Sequence, residues 1–242
     1  MSIIRLDKFI SSQLVVSRAE AKKILRQQRV TVNGVAETKG DVQIDPALDT
    51  VCADGVRILY KQFLYVMQYK PAGVVSASSD GGTTVIDILP QALKRPGLFP
   101  AGRLDKDTTG FVLITDDGAL AHDLLSPSHH VEKTYVVTLE RKVSKAETDA
   151  ICGGMVIGEE RFKPARLRYL DKDNSQRPRY EIVLCEGRYH QIKRMFGAQG
   201  NAVCALKRTG FGSLTLDPSL SPGESRELTE EEISRLRFRQ NI

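Results

Sequence analysis

One short stretch carries an unusual density of reactive groups. Phe99-Pro100-Ala101-Gly102-Arg103-Leu104-Asp105-Lys106-Asp107-Thr108-Thr109-Gly110 sets two acids, two bases and two glycines between apolar runs. Carboxylates in a turn beside a core strand can serve a pocket. Three readings compete on local sequence. Asp105, Asp107, Gly110 and Asp116 occupy positions 1, 3, 6 and 12 of a calcium loop, yet position 5 is Thr109, position 12 is not Glu, and strand-like residues follow where a helix should. A polar turn is the second reading, with Asp107 and Thr109 bonding the backbone. The third is catalysis by Asp105. Elsewhere, Lys193 and Arg194 read as a solvated helix face or as site cations. His129-His130 has no partner at ligand spacing and reads as a contact to a binding partner or as structural. Ser126 lies near those histidines but in no nucleophile elbow. There is neither a P-loop nor a G-x-G-x-x-G pattern, and no metal or cofactor is expected.

The frame for these groups is a chain of 242 residues, 41% apolar, with a net charge of +5. That suits a small domain joined to a medium one, with ample material for a core. No apolar run approaches the length of a membrane span, and charges interrupt the N-terminus where a signal peptide would be apolar. The four cysteines are far apart, so reduced thiols in a cytoplasmic protein are expected. Charge is unevenly placed. Residues 1–40 hold eight Lys/Arg against three acids, which points to a local anionic partner.

Leu6, Phe9, Ile10 and Leu14 fall on one helical stripe. Ser17…Glu20 reads as a capping box, opening a second helix to about Gln28 with Ala21, Ile24 and Leu25 inward. Arg18, Lys22, Arg26 and Arg29 share one side of that helix. Such a stripe repels itself unless an anion lies against it, and an RNA backbone has the matching repeat of charge. Val30-Thr31-Val32 followed by Asn33-Gly34 reads as a strand entering a type I′ hairpin. Beyond residue 60 the pattern changes. Strands are expected at Phe63–Met67, Phe111–Thr115, Lys133–Leu139, Ala165–Leu170 and Tyr180–Leu184, the last with Tyr180, Ile182 and Leu184 on one face. Helices are expected near Gly118–Leu125, Lys145–Cys152, Tyr189–Ala198 and Glu230–Arg237, with capping boxes Ser144…Glu147 and Thr229…Glu232. Because strands and helices do not alternate strictly, the class is α+β, on a mainly antiparallel sheet with flanking helices.

Two helices and a V-T-V-N-G hairpin in this order resemble the S-four domain, an RNA-binding module named for a ribosomal protein. That resemblance covers about residues 3–60 and implies RNA contact through Arg5, Lys8, Arg18, Lys22, Arg26 and Arg29. GRLDKDTTG resembles the active-site motif of the pseudouridine synthases, in the branch that modifies ribosomal RNA. Lys70-Pro71-x-Gly73, Glu132-Lys133-Thr134-Tyr135 and Glu186-Gly187-Arg188-Tyr189-His190-Gln191-Ile192-Lys193-Arg194-Met195 follow the same pattern in order. The resemblance implies catalysis by Asp105, base stacking by Tyr135 and a supporting cation at Lys193, where many relatives carry Arg. Arg103, Arg188, His190 and Arg194 are implied RNA contacts.

The implied reaction detaches uracil from its sugar and rejoins it through carbon. Nothing is oxidised, so no cofactor is needed, and a carboxylate suits work on a glycosidic bond. Ser126–Tyr135 and EGRYHQIKRMF are nearest the bacterial synthases acting on small-subunit (16S) ribosomal RNA. The expected arrangement is therefore an RNA-binding domain at residues 1–60 and a catalytic domain at 61–242, joined near 59–63. A monomer is expected, acting on free small-subunit RNA or a partly assembled subunit, away from membranes. A large-subunit substrate, a hydrolase releasing uracil, and an assembly factor without activity remain the alternatives at this stage.

Overall fold

The computed structural model describes residues 3–174 and 176–237. The chain divides into two compact units, residues 1–64 with 94–97, and residues 65–93 with 98–242.

In the first unit the helices Leu6–Gln13 and Arg18–Arg26 pack together over two small sheets. Leu6, Phe9, Ile10, Ala21, Leu25, Val30, Ile44 and Val51 are fully or almost fully buried and form its core. The capping box is present: the Ser17 hydroxyl accepts from the Glu20 amide, and the Glu20 carboxylate accepts from the Ser17 amide. Strands Val30–Val32 and Val35–Ala36 are joined through Asn33 and Gly34, whose φ values of 51° and 83° are those a type I′ turn requires. Two details differ from the sequence reading. Leu14 is the C-terminal cap of the first helix and is exposed, not part of its buried stripe. The second helix ends at Arg26, so Arg29 lies beyond it and pairs with Asp54 at 2.6 Å.

The second unit is built on a nine-stranded sheet. Its main path runs Arg166–Lys172, Pro178–Leu184, Lys133–Leu139, Val203–Phe211, Thr109–Thr115, Tyr65–Lys70, Ser225–Glu227. The ladders are antiparallel except for that between Val203–Phe211 and Thr109–Thr115. Phe111, Val112, Leu113 and Ile114 are wholly buried, as befits a continuous apolar strand covered on both faces. Pro178–Leu184 instead alternates, with Tyr180, Ile182 and Leu184 inward. Helices Gly118–Leu125, Lys145–Gly153, Gln191–Gly197 and Glu230–Arg237 flank the sheet, and both expected capping boxes form. Val203–Phe211 was not expected as a strand, nor was the hairpin Met155–Ile157 with Glu160–Phe162. The four cysteines are unpaired. No helix among the described residues is long and apolar enough to cross a membrane.

Candidate active site

Asp105 sits in the loop between strands Phe99–Ala101 and Thr109–Thr115. That loop is held from behind by Lys70. The Lys70 ammonium is fully buried and donates to the carbonyls of Pro71, Lys106 and Thr108 at 3.1, 3.1 and 2.8 Å. Burial pushes its pKa down to about 8, against the pull of Asp107 and Asp105. The amide of Gly73 also donates to Lys106 O, and that of Leu104 to the Ser76 hydroxyl. Gly110 closes the loop at φ 105°, where a Cβ would meet the Arg208 carbonyl at 2.1 Å. Only glycine allows the strand so close to its parallel neighbour. Asp105 is followed by a strand and its carboxylate faces a lysine, so the calcium-loop pattern is not realised.

The second half of the site comes from Glu186–Lys193. The Glu186 carboxylate accepts from the Gln191 side chain at 2.6 Å and from the Lys163 amide at 2.7 Å, while the Arg188 amide donates to Gln191 at 3.2 Å. These bonds fold the segment into a turn that enters the helix Gln191–Gly197 through His190, in the left-handed conformation. Lys193, on the first turn of that helix, reaches Asp105 at 3.2 Å and Asp107 at 2.6 Å. His190 Nε2 lies 3.4 Å from the other Asp105 oxygen. Burial works against the Lys193 charge, but the two carboxylates outweigh it and raise its pKa. The hydrogen bond from Lys193 holds the Asp107 carboxyl below the usual range.

A cavity opens at this junction. Asp105, Thr108, His190 and Lys193 give it a polar side, and Tyr135, Leu184, Ile192 and Leu206 an apolar one; Arg103 and Arg188 also line it. Tyr135 is nearly buried, on the strand Lys133–Leu139 between Ile182 and Arg208. A carboxyl group, a neighbouring ammonium and an aromatic wall thus meet in one place. Such a cavity can take a flat heterocycle on its apolar side and present the carboxylate to what the heterocycle carries.

The family model for RNA pseudouridylate synthase matches residues 64–198, and that for the S4 domain matches residues 4–46. The chain belongs to the RNA pseudouridine synthases. Among relatives of this isomerase, an uncharacterized RNA pseudouridine synthase of Bacillus subtilis is 42% identical over 95% of this chain and 96% of its own. Ribosomal small subunit pseudouridine synthase A of Escherichia coli is 44% identical over 95% of this chain and 98% of its own. A crystal structure of a pseudouridylate synthase, 41% identical, superposes with a TM-score of 0.66 and covers 96% of this chain and 99% of that one.

Of the residues named from sequence, Asp105, Tyr135, Lys193, Arg103, Arg188 and His190 line the synthase cavity. Arg194 does not. It pairs with Glu160 and lies over the Phe162 ring. Arg188 is likewise engaged, with Glu186 at 3.3 Å and Glu160 at 3.6 Å. In the S4-type unit, Lys8, Arg18, Lys22 and Arg26 are exposed, whereas Arg5 is tied to Asp7 and Arg29 to Asp54. His129 and His130 contact Asp123 and Lys163 in the same chain. The sequence reading treats Asp107 as a loop-shaping residue, gives Lys70 no role of its own, and uses Tyr189 only as a marker of the substrate class. Tyr189 is 77% exposed and stacks on His190 at 3.9 Å, beside the cavity. Its position between two cavity residues was the available signal. For Lys70, a lysine closing a largely apolar strand was one as well.

Proposed function

We propose that this synthase converts one uridine of small-subunit ribosomal RNA to pseudouridine, with Asp105 as the catalytic carboxylate. The observation that carries the reading is the Asp105–Lys193 pair, 3.2 Å apart, in a cavity walled by Tyr135, Leu184 and Leu206. The target nucleotide leaves its stack and enters this cavity, where the Tyr135 ring holds the uracil. The bond between the anomeric carbon and N1 breaks, with Asp105 acting at the sugar, either on that carbon or on a neighbouring proton. The detached uracil turns and rejoins through C5. The hydrogen on C5 leaves as a proton, N1 gains one, and the RNA mass is unchanged. Lys193 sets a positive charge 3.2 Å from one Asp105 oxygen, and His190 borders the other.

The substrate assignment is supported by relatives named as small-subunit synthases and by Tyr189-His190 at the cavity rim. The S4-type domain, through Lys8 and the Arg18, Lys22 and Arg26 side, supplies affinity for the RNA backbone, and the larger domain of the monomer does the chemistry. The test is pseudouridine mapping on small- and large-subunit RNA, free and partly assembled, with wild type and Asp105→Asn. One new site in small-subunit RNA, lost in the variant, is expected. A site in large-subunit RNA overturns the substrate, and binding without product favours an assembly factor.

A further inference from the structure

Glu160 lies on the hairpin Met155–Ile157/Glu160–Phe162 and is shared by two arginines, Arg188 at 3.6 Å and Arg194 in direct contact. Both guanidinium groups lie over one ring, that of the buried Phe162, with centroid distances of 5.9 and 5.0 Å. Arg188 also lines the cavity that holds Asp105. The arrangement is therefore two cations on a common aromatic seat at the edge of the site, bridged by one carboxylate. The Glu160 and Arg188 side chains are about two-fifths exposed and Arg194 about one-third, so the bridge is open to exchange with an outside anion.

We infer that Arg188 and Arg194 form a subsite for one backbone phosphate next to the target uridine, and that Glu160 fills this subsite until RNA displaces it. This rests on the proposed RNA reading. Three features favour a phosphate. Arginine forks suit phosphate as well as carboxylate. A nucleotide inserted in the cavity carries a phosphate on each side of its sugar, within reach of the cavity edge. The Phe162 seat and the hydrogen-bonded Glu186 turn keep the arginines in place when the bridging carboxylate leaves. Glu186, which bonds Gln191, the Lys163 amide and Arg188 itself at 3.3 Å, stays in its structural role and holds Arg188 in place; Glu160 has no backbone or glutamine bond of that kind among the described residues.

The occupied subsite lowers affinity for RNA and selects against weak ligands. A polyanion that reaches only these arginines must displace Glu160 for little gain, whereas one that also places a uridine beside Asp105 offsets the loss. Specificity thus comes from an internal competitor as well as from attractive contacts.

The test compares wild type, Glu160→Gln, the neighbouring exposed Glu159→Gln as a charge control, and Arg194→Ala. Binding of a small-subunit ribosomal RNA transcript is titrated across salt concentrations, with pseudouridine formation followed in the same samples. Glu160→Gln is expected to tighten binding by about 1.4- to 5-fold over both wild type and Glu159→Gln, the range for releasing an exposed ion pair. Arg194→Ala is expected to weaken binding and flatten the salt slope by about 0.7, one single-strand phosphate contact. Equal affinities for the two glutamine variants, or an unchanged slope in Arg194→Ala, with normal product from wild type, overturn this inference alone. A wild type that neither binds nor modifies the transcript overturns the functional proposal and the subsite with it.

Discussion

Removing the positive charge at Lys193 tests the electrostatic core of the site. The Lys193 ammonium lies 3.2 Å from Asp105, and both side chains are 26% exposed. Two unit charges at that distance attract by about 5 kcal/mol at an effective dielectric constant near 20, and by about 1.3 kcal/mol in bulk water. Partial exposure places the pair between these limits. If roughly 1.4–4 kcal/mol of it supports the ionised carboxylate in the transition state, Lys193→Met should lower kcat/KM about 10- to 1,000-fold. Lys193→Arg, which keeps the charge but spreads it over a fork, should stay within about tenfold of wild type. The assay is tritium release from RNA carrying C5-tritiated uridine, since only rejoining through C5 expels that hydrogen. Urea unfolding serves as the control, where loss of a partly exposed pair should cost no more than about 1 kcal/mol. Lys193→Met working within threefold of wild type at unchanged RNA affinity would refute the reasoning.

Lys70→Met strips a donor from three carbonyls behind Asp105; a net loss of about 2–4 kcal/mol in urea unfolding, with at least a tenfold fall in kcat, is expected, the unsatisfied carbonyls being offset in part by the charge no longer buried. With the Lys70 pKa near 8, kcat should decline as pH rises through that value. Unfolded lysine keeps its proton to about 10.5, so over this window the group's deprotonation raises stability; melting temperatures that fell in step with kcat would assign the decline to unfolding instead. Arg18→Ala/Lys22→Ala/Arg26→Ala should reduce the salt slope of RNA binding by about 2–3, and an unchanged slope would move the contact surface elsewhere. Glu147, bonded by Arg141 and by the Ser144 amide, titrates at about 2 rather than 4.5. Its stabilising contribution is present above 4.5 and lost as pH falls toward 2, so the difference in melting temperature between wild type and Glu147→Gln should shrink across that range.

The legible parts of the fold are those whose hydrogen bonds close locally. Capping boxes at Ser17, Ser144 and Thr229 join residues three apart, and the Asn33-Gly34 turn needs only its own φ values, so sequence order carries them. Val203–Phe211 was hidden because Lys207, Arg208 and Thr209 interrupt its apolar residues. Their partners are remote. Lys207 lies over the Tyr69 ring, and Arg208, nearly fully buried, donates to Phe111 O at 2.7 Å. The site divides in the same way. Asp105, Tyr135 and Lys193 were placed by motif, and each lines one cavity. The sequence does not show the Lys193–Asp107 and Arg194–Glu160 pairs, because each joins segments distant in sequence through partly exposed side chains.

The parallel ladder between Thr109–Thr115 and Val203–Phe211 has a consequence for how the enzyme is born. It sits in the interior of the sheet and joins Gly110, at the edge of the Asp105 loop, to Arg208, roughly a hundred residues later. At about 5–20 residues per second, the ribosome needs roughly 5–20 s to make that interval. Until then Thr109–Thr115 lacks one neighbour, and Lys133–Leu139 waits for the same strand. A nascent chain can thus display a finished S4 module well before it owns a working pocket. Under the proposed division of labour it holds RNA in that interval before it can modify it, and its two unpaired strand edges need shelter from other chains.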